Sequence, residues 1–240
     1  YVGDSITNAG AMKRLKGPKN TQAILGIKRS GKQQLLTFNI QRGDVPVKTV
    51  GAVYMAAPKI GYVSINSFGD TTYAEFLAAL ATLQGEGFQN LIIDLRGNPG
   101  GYMETAIQIA NDFLPKNSLI VYTKGRKSPR KEYRTDGRGT YQTMPIVVLV
   151  DETSASASEI FAGAMQDNDR GMIVGRRSFG KGLVQVPIEF PDGSMLRLTT
   201  ARYYTPSGRC VQKPYTPGDE EDYAADLLSR AEHGEYFSAD

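Results

Sequence analysis

The stretch Leu91-Ile92-Ile93-Asp94-Leu95-Arg96-Gly97-Asn98-Pro99-Gly100-Gly101 decides the fold. Leu91 to Leu95 is a nearly continuous apolar run, the pattern of a strand covered on both faces. The run breaks at a glycine-rich turn. Met103, Ala106, Ile107, Ala110 and Phe113 then recur at helical spacing until Pro115 closes the helix. Strand, glycine turn and helix form the unit from which parallel sheets are built. Upstream, Ile60–Ile65 reads as a strand. Phe76, Leu77, Leu80 and Leu83 follow as a helical face that starts at a capping box of Thr72 and Glu75 and stops at Gly85. Downstream, Ser118–Thr123 and Ile146–Val150 read as strands. A helix through Ile160, Phe161, Ala164 and Met165 and a strand at Met172–Val174 come next. The alternation predicts an α/β core with a parallel sheet covered by helices. Leu183–Phe190, the turn Pro191-Asp192-Gly193 and Met195–Tyr204 then predict a long antiparallel hairpin.

Before this core the pattern differs. Ala11–Leu15 reads as a short helix ended by Gly17-Pro18. Ala23, Leu25 and Ile27 alternate, Ser30-Gly31 turns, and Leu36, Phe38 and Ile40 alternate again as a hairpin. Residues 1–50 are thus one segment, marginal as an independent domain, joined through Gly51 to Pro58 to a core over 51–212. Residues 213–240 form an acidic C-terminal segment with a helix around Ala224–Ala231. Charge follows the same division. Residues 1–50 hold nine Lys/Arg against Asp4 and Asp44, while residues 211–240 hold Lys213 and Arg230 against eight acids. The net charge of +3 hides this asymmetry. Either the two ends attract each other, or each meets a different partner, or, as the plainest reading, both are solvated surfaces. Lys124 to Arg138 reads as a basic, solvated loop rather than a nucleic-acid site, because Tyr133 is its one aromatic platform for stacking.

Composition excludes several chemistries. The 240 residues are 40% apolar and 22% charged, as in an ordinary globular chain. No apolar run approaches the eighteen or so residues that a membrane span needs. One cysteine, Cys210, rules out an internal disulfide framework, and with one histidine, His233, it leaves no cysteine- or histidine-based zinc site. A histidine-based triad would rest on His233 alone. No cofactor or metal is expected.

Three irregular segments directly follow three predicted parallel strands: Arg96 to Gly101, Asp151 to Ser158, and Gly175 to Gly182. Loops at the carboxyl ends of parallel strands gather on one edge of the sheet, where sites are built. Each loop has a plain structural explanation beside a chemical one. The Asn98-Pro99-Gly100-Gly101 turn is either a tight connection or a source of unobstructed N–H groups for an oxyanion. Among Ser154, Ser156 and Ser158, one serine suffices to cap the next helix, which leaves two unexplained. Lys181 lies between Gly180 and Gly182, an unusual setting for a merely solubilising charge. Together they suggest a serine nucleophile with a lysine base. Such a base must be neutral to act. From a reference value near 10.4 to pH 7 the gap is ~3.4 units, or about 4.6 kcal/mol, which burial against Phe179, Leu183 and Val184 would offset. Gln185 is placed to orient the amine.

The segments Leu95–Gly101, Ser154–Glu159, Phe179–Gln185 and Tyr203–Arg209 resemble the C-terminal processing (tail-specific) proteases, serine endopeptidases of the S41 family. The resemblance runs from about Lys59 to Gln212. It implies a ClpP/crotonase-like protease core with Ser156 as nucleophile, Lys181 as base and Gln185 as the third member. It also implies oxyanion donors at the backbone N–H of Gly100 or Gly101 and of Ala157. The implied partners are polypeptide substrates with free C-termini, in an extracytoplasmic setting. Val2–Thr49 resembles the second part of a PDZ domain, whose carboxylate-binding loop would lie upstream. Two other readings fit the fold: a non-catalytic peptide-binding scaffold, and a crotonase-like acyl-CoA enzyme, which would not need the Ser/Lys pair.

Overall fold

A computed structural model of the chain describes residues 6–45, 47–215 and 220–237. Val2 to Ser5 of the PDZ-like segment and Asp219 of the acidic run lie outside the described residues. The chain divides into two units, residues 1–47 and 48–240. The first holds α1 (Asn8–Leu15), capped by the Thr7 hydroxyl, which accepts from the Gly10 N–H at 3.1 Å. Strands β1 (Gln22–Ile27) and β2 (Leu36–Gln41) pair antiparallel, with Ala23 opposite Ile40 and Leu25 opposite Phe38. None of this unit's described residues is buried, as expected of a helix and hairpin too small to enclose a core.

The second unit is built on a sheet in the order β3 (Val50–Ala57), β4 (Ile60–Ile65), β5 (Asn90–Asp94), β8 (Ile146–Val150), β9 (Met172–Gly175). Strands β4, β5, β8 and β9 run parallel, so the α/β core with parallel strands is borne out. Strand β3 corrects the sequence reading. The segment taken as a connection pairs antiparallel with β4 across the Pro58-Lys59 turn, where Lys59 takes a φ of 66°.

Helices α2 (Thr72–Gly85), α3 (Met103–Phe113) and α4 (Ala157–Asp167) supply Phe76, Leu80, Leu83, Ile109, Phe113, Ile160 and Phe161 to one core with Val63, Ile93 and Val148 of the sheet. Leu77, expected on the buried face of α2, is 40% exposed and Ala79 takes its place. The expected Thr72–Glu75 capping box is also absent. Thr71 is the N-cap, and the Glu75 carboxylate instead accepts from the N–H groups of Thr49 and Val50 at 2.8 and 2.9 Å, fastening the start of β3.

A second, antiparallel sheet has the order β10 (Leu183–Glu189), β11 (Met195–Tyr204), β6 (Leu119–Lys124), β7 (Lys131–Arg134). The hairpin of β10 and β11 is as read from sequence. Strand β6 is not a member of the parallel sheet, because β11 and β7 flank it. The basic 124–138 segment is likewise no simple loop. It contains β7, and Arg130 stacks over the Tyr122 ring at 3.8 Å. The C-terminal helix α5 spans Glu220–Glu232. No helix among the described residues is long and apolar enough to cross a membrane.

Candidate active site

The carboxyl ends of β5, β8 and β9 are neighbours in the sheet, and their three loops meet as the topology requires. The glycine turn is organised by Asn98, whose side chain is fully buried. Its amide donates to the Ile65 carbonyl at 2.7 Å and its Oδ1 accepts from the Gly100 N–H at 2.8 Å. Its backbone carbonyl accepts from the Ala155 N–H at 3.0 Å and the Ser158 hydroxyl at 3.1 Å. One asparagine therefore ties the end of β4, the glycine turn and the serine turn together. Glycine is obligatory at two positions. Gly100 has a φ of 95°, and a Cβ there would stand 2.5 Å from the Ala155 oxygen and 2.8 Å from Ser156 Cβ. At Gly101, with a φ of 146°, a Cβ would lie 2.0 Å from the Phe68 oxygen.

The three serines separate by burial. Ser154 is buried and donates to the Leu95 carbonyl at 2.8 Å; Ser158 is buried on Asn98. Ser156 is the accessible one. It is the N-cap of α4 with φ 55° and ψ −110°, a conformation unfavourable for any residue with a side chain. A serine held in a strained strand-to-helix turn is presented away from the sheet, and such strain concentrates at functional sites. The adjacent helix N-terminus, with the Ala157 N–H, favours negative charge.

Glu159 holds the strained turn. Its carboxylate is buried, and one oxygen accepts from the backbone N–H of both Ser156 and Lys181, each at 2.8 Å. The other accepts from the Gly180 N–H at 2.6 Å and the Ser178 hydroxyl at 2.7 Å. The Ser156 and Lys181 nitrogens can therefore be no further apart than twice 2.8 Å. Burial pushes the Glu159 carboxyl above its ordinary range, against the opposing pull of these four hydrogen bonds. The sequence reading gave Glu159 no role. Its signal was the Ser156-x-x-Glu159 spacing of a capping box. Asp94 is a second missed group. Although burial opposes its charge, hydrogen bonds from Arg96 and Tyr62 hold its carboxyl below the usual range.

Not every expected group converges. Ser156, Ala157 and Gly100 adjoin one another. The Lys181 backbone joins them through Glu159, but its side chain is exposed and makes no hydrogen bond among the described residues. The expected burial of Lys181 against Phe179 does not occur, because the Lys213 ammonium lies over the Phe179 ring, 4.9 Å from its centre. Gln185 is exposed opposite Thr199, where the register of the hairpin shifts and skips Thr200 of β11. Of the two glycine donors, Gly100 is committed to Asn98, whereas Gly101 is exposed and its N–H has no partner among the described residues. The Tyr203–Arg209 segment is structural: the Ser207 N–H and hydroxyl donate to Asp167 at 3.0 and 2.6 Å, fastening β11 to the end of α4. No cluster of metal-ligating side chains occurs among the described residues.

Residues 59–223 match peptidase family S41. The carboxyl-terminal-processing protease of Synechocystis is 38% identical over 212 residues, covering 87% of this chain and 49% of that protein. The carboxy-terminal processing protease CtpB of Bacillus subtilis is 34% identical over 205 residues, covering 85% of this chain and 42% of its own length. The chain thus spans half or less of the length of these relatives. Among solved structures, a photosystem II D1 C-terminal processing protease superposes with a TM-score of 0.63 at 31% identity, covering 82% of this chain and 54% of that one.

Proposed function

The chain belongs to peptidase family S41, and on that premise we propose that it is a serine endopeptidase that cleaves exported polypeptides near their C-termini, acting outside the cytoplasm. Ser156 is the nucleophile. Lys181 accepts its proton as the hydroxyl attacks the scissile carbonyl and returns it to the leaving amine. Gln185 orients the lysine amine. The developing oxyanion is received by the N–H groups of Ala157 and Gly101, at the positive end of α4. The observation that carries this reading is the single Glu159 oxygen that accepts from both Ser156 and Lys181. It keeps the Ser156 and Lys181 nitrogens within twice 2.8 Å of each other, and this supports a nucleophile and a base drawn from these two residues. The dyad hydrogen bond itself closes when substrate covers the site and excludes water from the lysine; catalytic hydrogen bonds commonly tighten only in the complex.

The test is digestion of an unfolded reporter polypeptide with a free apolar C-terminus. Ser156→Ala should abolish cleavage. Lys181→Arg should be nearly inactive, because a guanidinium does not lose its proton at working pH. Substantial cleavage by Ser156→Ala would refute the nucleophile, and by Lys181→Arg the base.

A further inference from the structure

Resting on the Ser156/Lys181 reading, we propose that Arg230 of the C-terminal helix α5 is a positioning residue that clamps the Lys181 loop in its productive geometry. The loop 176–181 is held from two sides. On one side Glu159 takes the N–H groups of Gly180 and Lys181. On the other, the Arg230 guanidinium donates to the carbonyls of Arg177 and, at 3.3 Å, Ser178. Arg230 is 4% exposed, and Glu235 balances its charge by accepting from its Nε at 2.9 Å. Glu235 also accepts from Arg177 Nε at 3.0 Å and Nη2 at 2.8 Å, so one carboxylate braces both the loop and the clamp. A second tie lies one turn earlier on α5. Asp226 accepts from the Lys213 ammonium at 2.8 Å, and the Lys213 N–H donates to the Gly180 carbonyl at 3.0 Å.

The division of polar groups gives the clamp its consequence. Along the loop the Arg177 and Ser178 carbonyls rest on the guanidinium, the Phe179 N–H donates to the Ser154 carbonyl at 3.0 Å, and the Gly180 and Lys181 N–H groups rest on the Glu159 carboxylate, so successive peptide units are fixed in series and freeing the first strains the hold on the last. An apolar side chain of similar length would fill the same volume yet leave two carbonyls unpaired. The loop would then rotate, carrying Ser178 and Lys181 away from Glu159 and the lysine away from Ser156. The ground-state binding of a peptide does not depend on that alignment, whereas proton transfer does.

The experiment compares wild type, Arg230→Met and Arg230→Lys in kinetics on the reporter and in amide hydrogen exchange. Arg230→Met should lower kcat roughly 10- to 100-fold, the loss of one or two charge-assisted hydrogen bonds, with KM changed less than about twofold. Amides 177–182 should exchange faster while those of α4 and β8 keep their protection. Arg230→Lys should fall between, since an ammonium lacks the planar fork that spans two carbonyls. Wild-type kcat in Arg230→Met, or exchange raised equally across α4 and β8, would overturn the proposal. If Arg230→Met does not fold, Arg230→Lys decides it: wild-type kcat and loop protection overturn the clamp, and losses in both support it. Ser156→Ala and Lys181→Met run alongside. Cleavage by either refutes the dyad, whereas the exchange data report on the clamp independently.

Discussion

Replacing Glu159 separates two contributions that one carboxylate makes. Glu159→Gln keeps one acceptor oxygen and turns the other into an amide donor. If the amide nitrogen took the place of the oxygen shared by Ser156 and Lys181, it would face two backbone N–H groups, neither of which can accept. In the other orientation it faces the Gly180 N–H and the Ser178 hydroxyl, and a hydroxyl can rotate to accept. Glutamine therefore takes the second orientation. The Ser156–Lys181 link survives through a neutral oxygen and the Gly180 bond is lost. One lost bond to a charged group is worth about 1.5–3 kcal/mol, so kcat/KM should fall roughly 10- to 100-fold. Global stability should not fall with it, because burial already disfavours the Glu159 charge and the amide removes that charge. Glu159→Leu removes all four acceptor contacts and strands three backbone N–H groups, so activity should drop to the level of Ser156→Ala. The assays are steady-state cleavage of the reporter and thermal unfolding. Wild-type activity in Glu159→Leu, or parallel losses of activity and melting temperature in Glu159→Gln, would refute the reasoning.

Other outcomes follow from single positions. Gly100→Ala should lose at least about tenfold in activity, because a positive φ costs a non-glycine residue about 1–2 kcal/mol and its methyl must displace the Ala155–Ser156 backbone; an unchanged kcat would mean that this contact does not hold the serine. Asp112 is buried with one carboxylate oxygen unpartnered among the described residues, and burial raises its carboxyl from 3.8 to about 6. The folded state thus holds that proton more tightly than the unfolded chain, so stability is lost as pH rises from about 4 to 6, by at most about 3 kcal/mol. Asp112→Asn should flatten that fall and raise the melting temperature at pH 7, and a melting temperature lower than wild type at pH 7 would count against it.

The legible parts of the fold were those whose information is local. Apolar runs, helical spacing and the glycines at 85 and 100–101 place β4, β5, β8, α2 and α3 to within a residue or two. Pairing partners are not local. Ser118–Thr123 reads as a strand from its own residues, yet its sheet is decided by β11, some eighty residues later, and adjacency in a βαβ pattern misplaced it. Strand β3 is illegible in the sequence because Gly51 and the alanines at 52, 56 and 57 dilute its apolar pattern, and because its hold comes partly from Glu75 on another element. The site divides in the same way. Three alternating serines were visible as a group, but their different work was not, since it depends on what each meets: Leu95 and Asn98 bury two of them, and strain exposes the third. Phe179, two residues before Lys181, suggests a desolvating contact that the fold gives to Lys213 instead. The most instructive residue is Glu159. Three of its four donors are backbone N–H groups, which every non-proline residue carries and no sequence pattern marks. A side chain that organises a site by collecting backbone groups leaves its trace only in its own identity and spacing. Here that trace was a glutamate three residues after a serine.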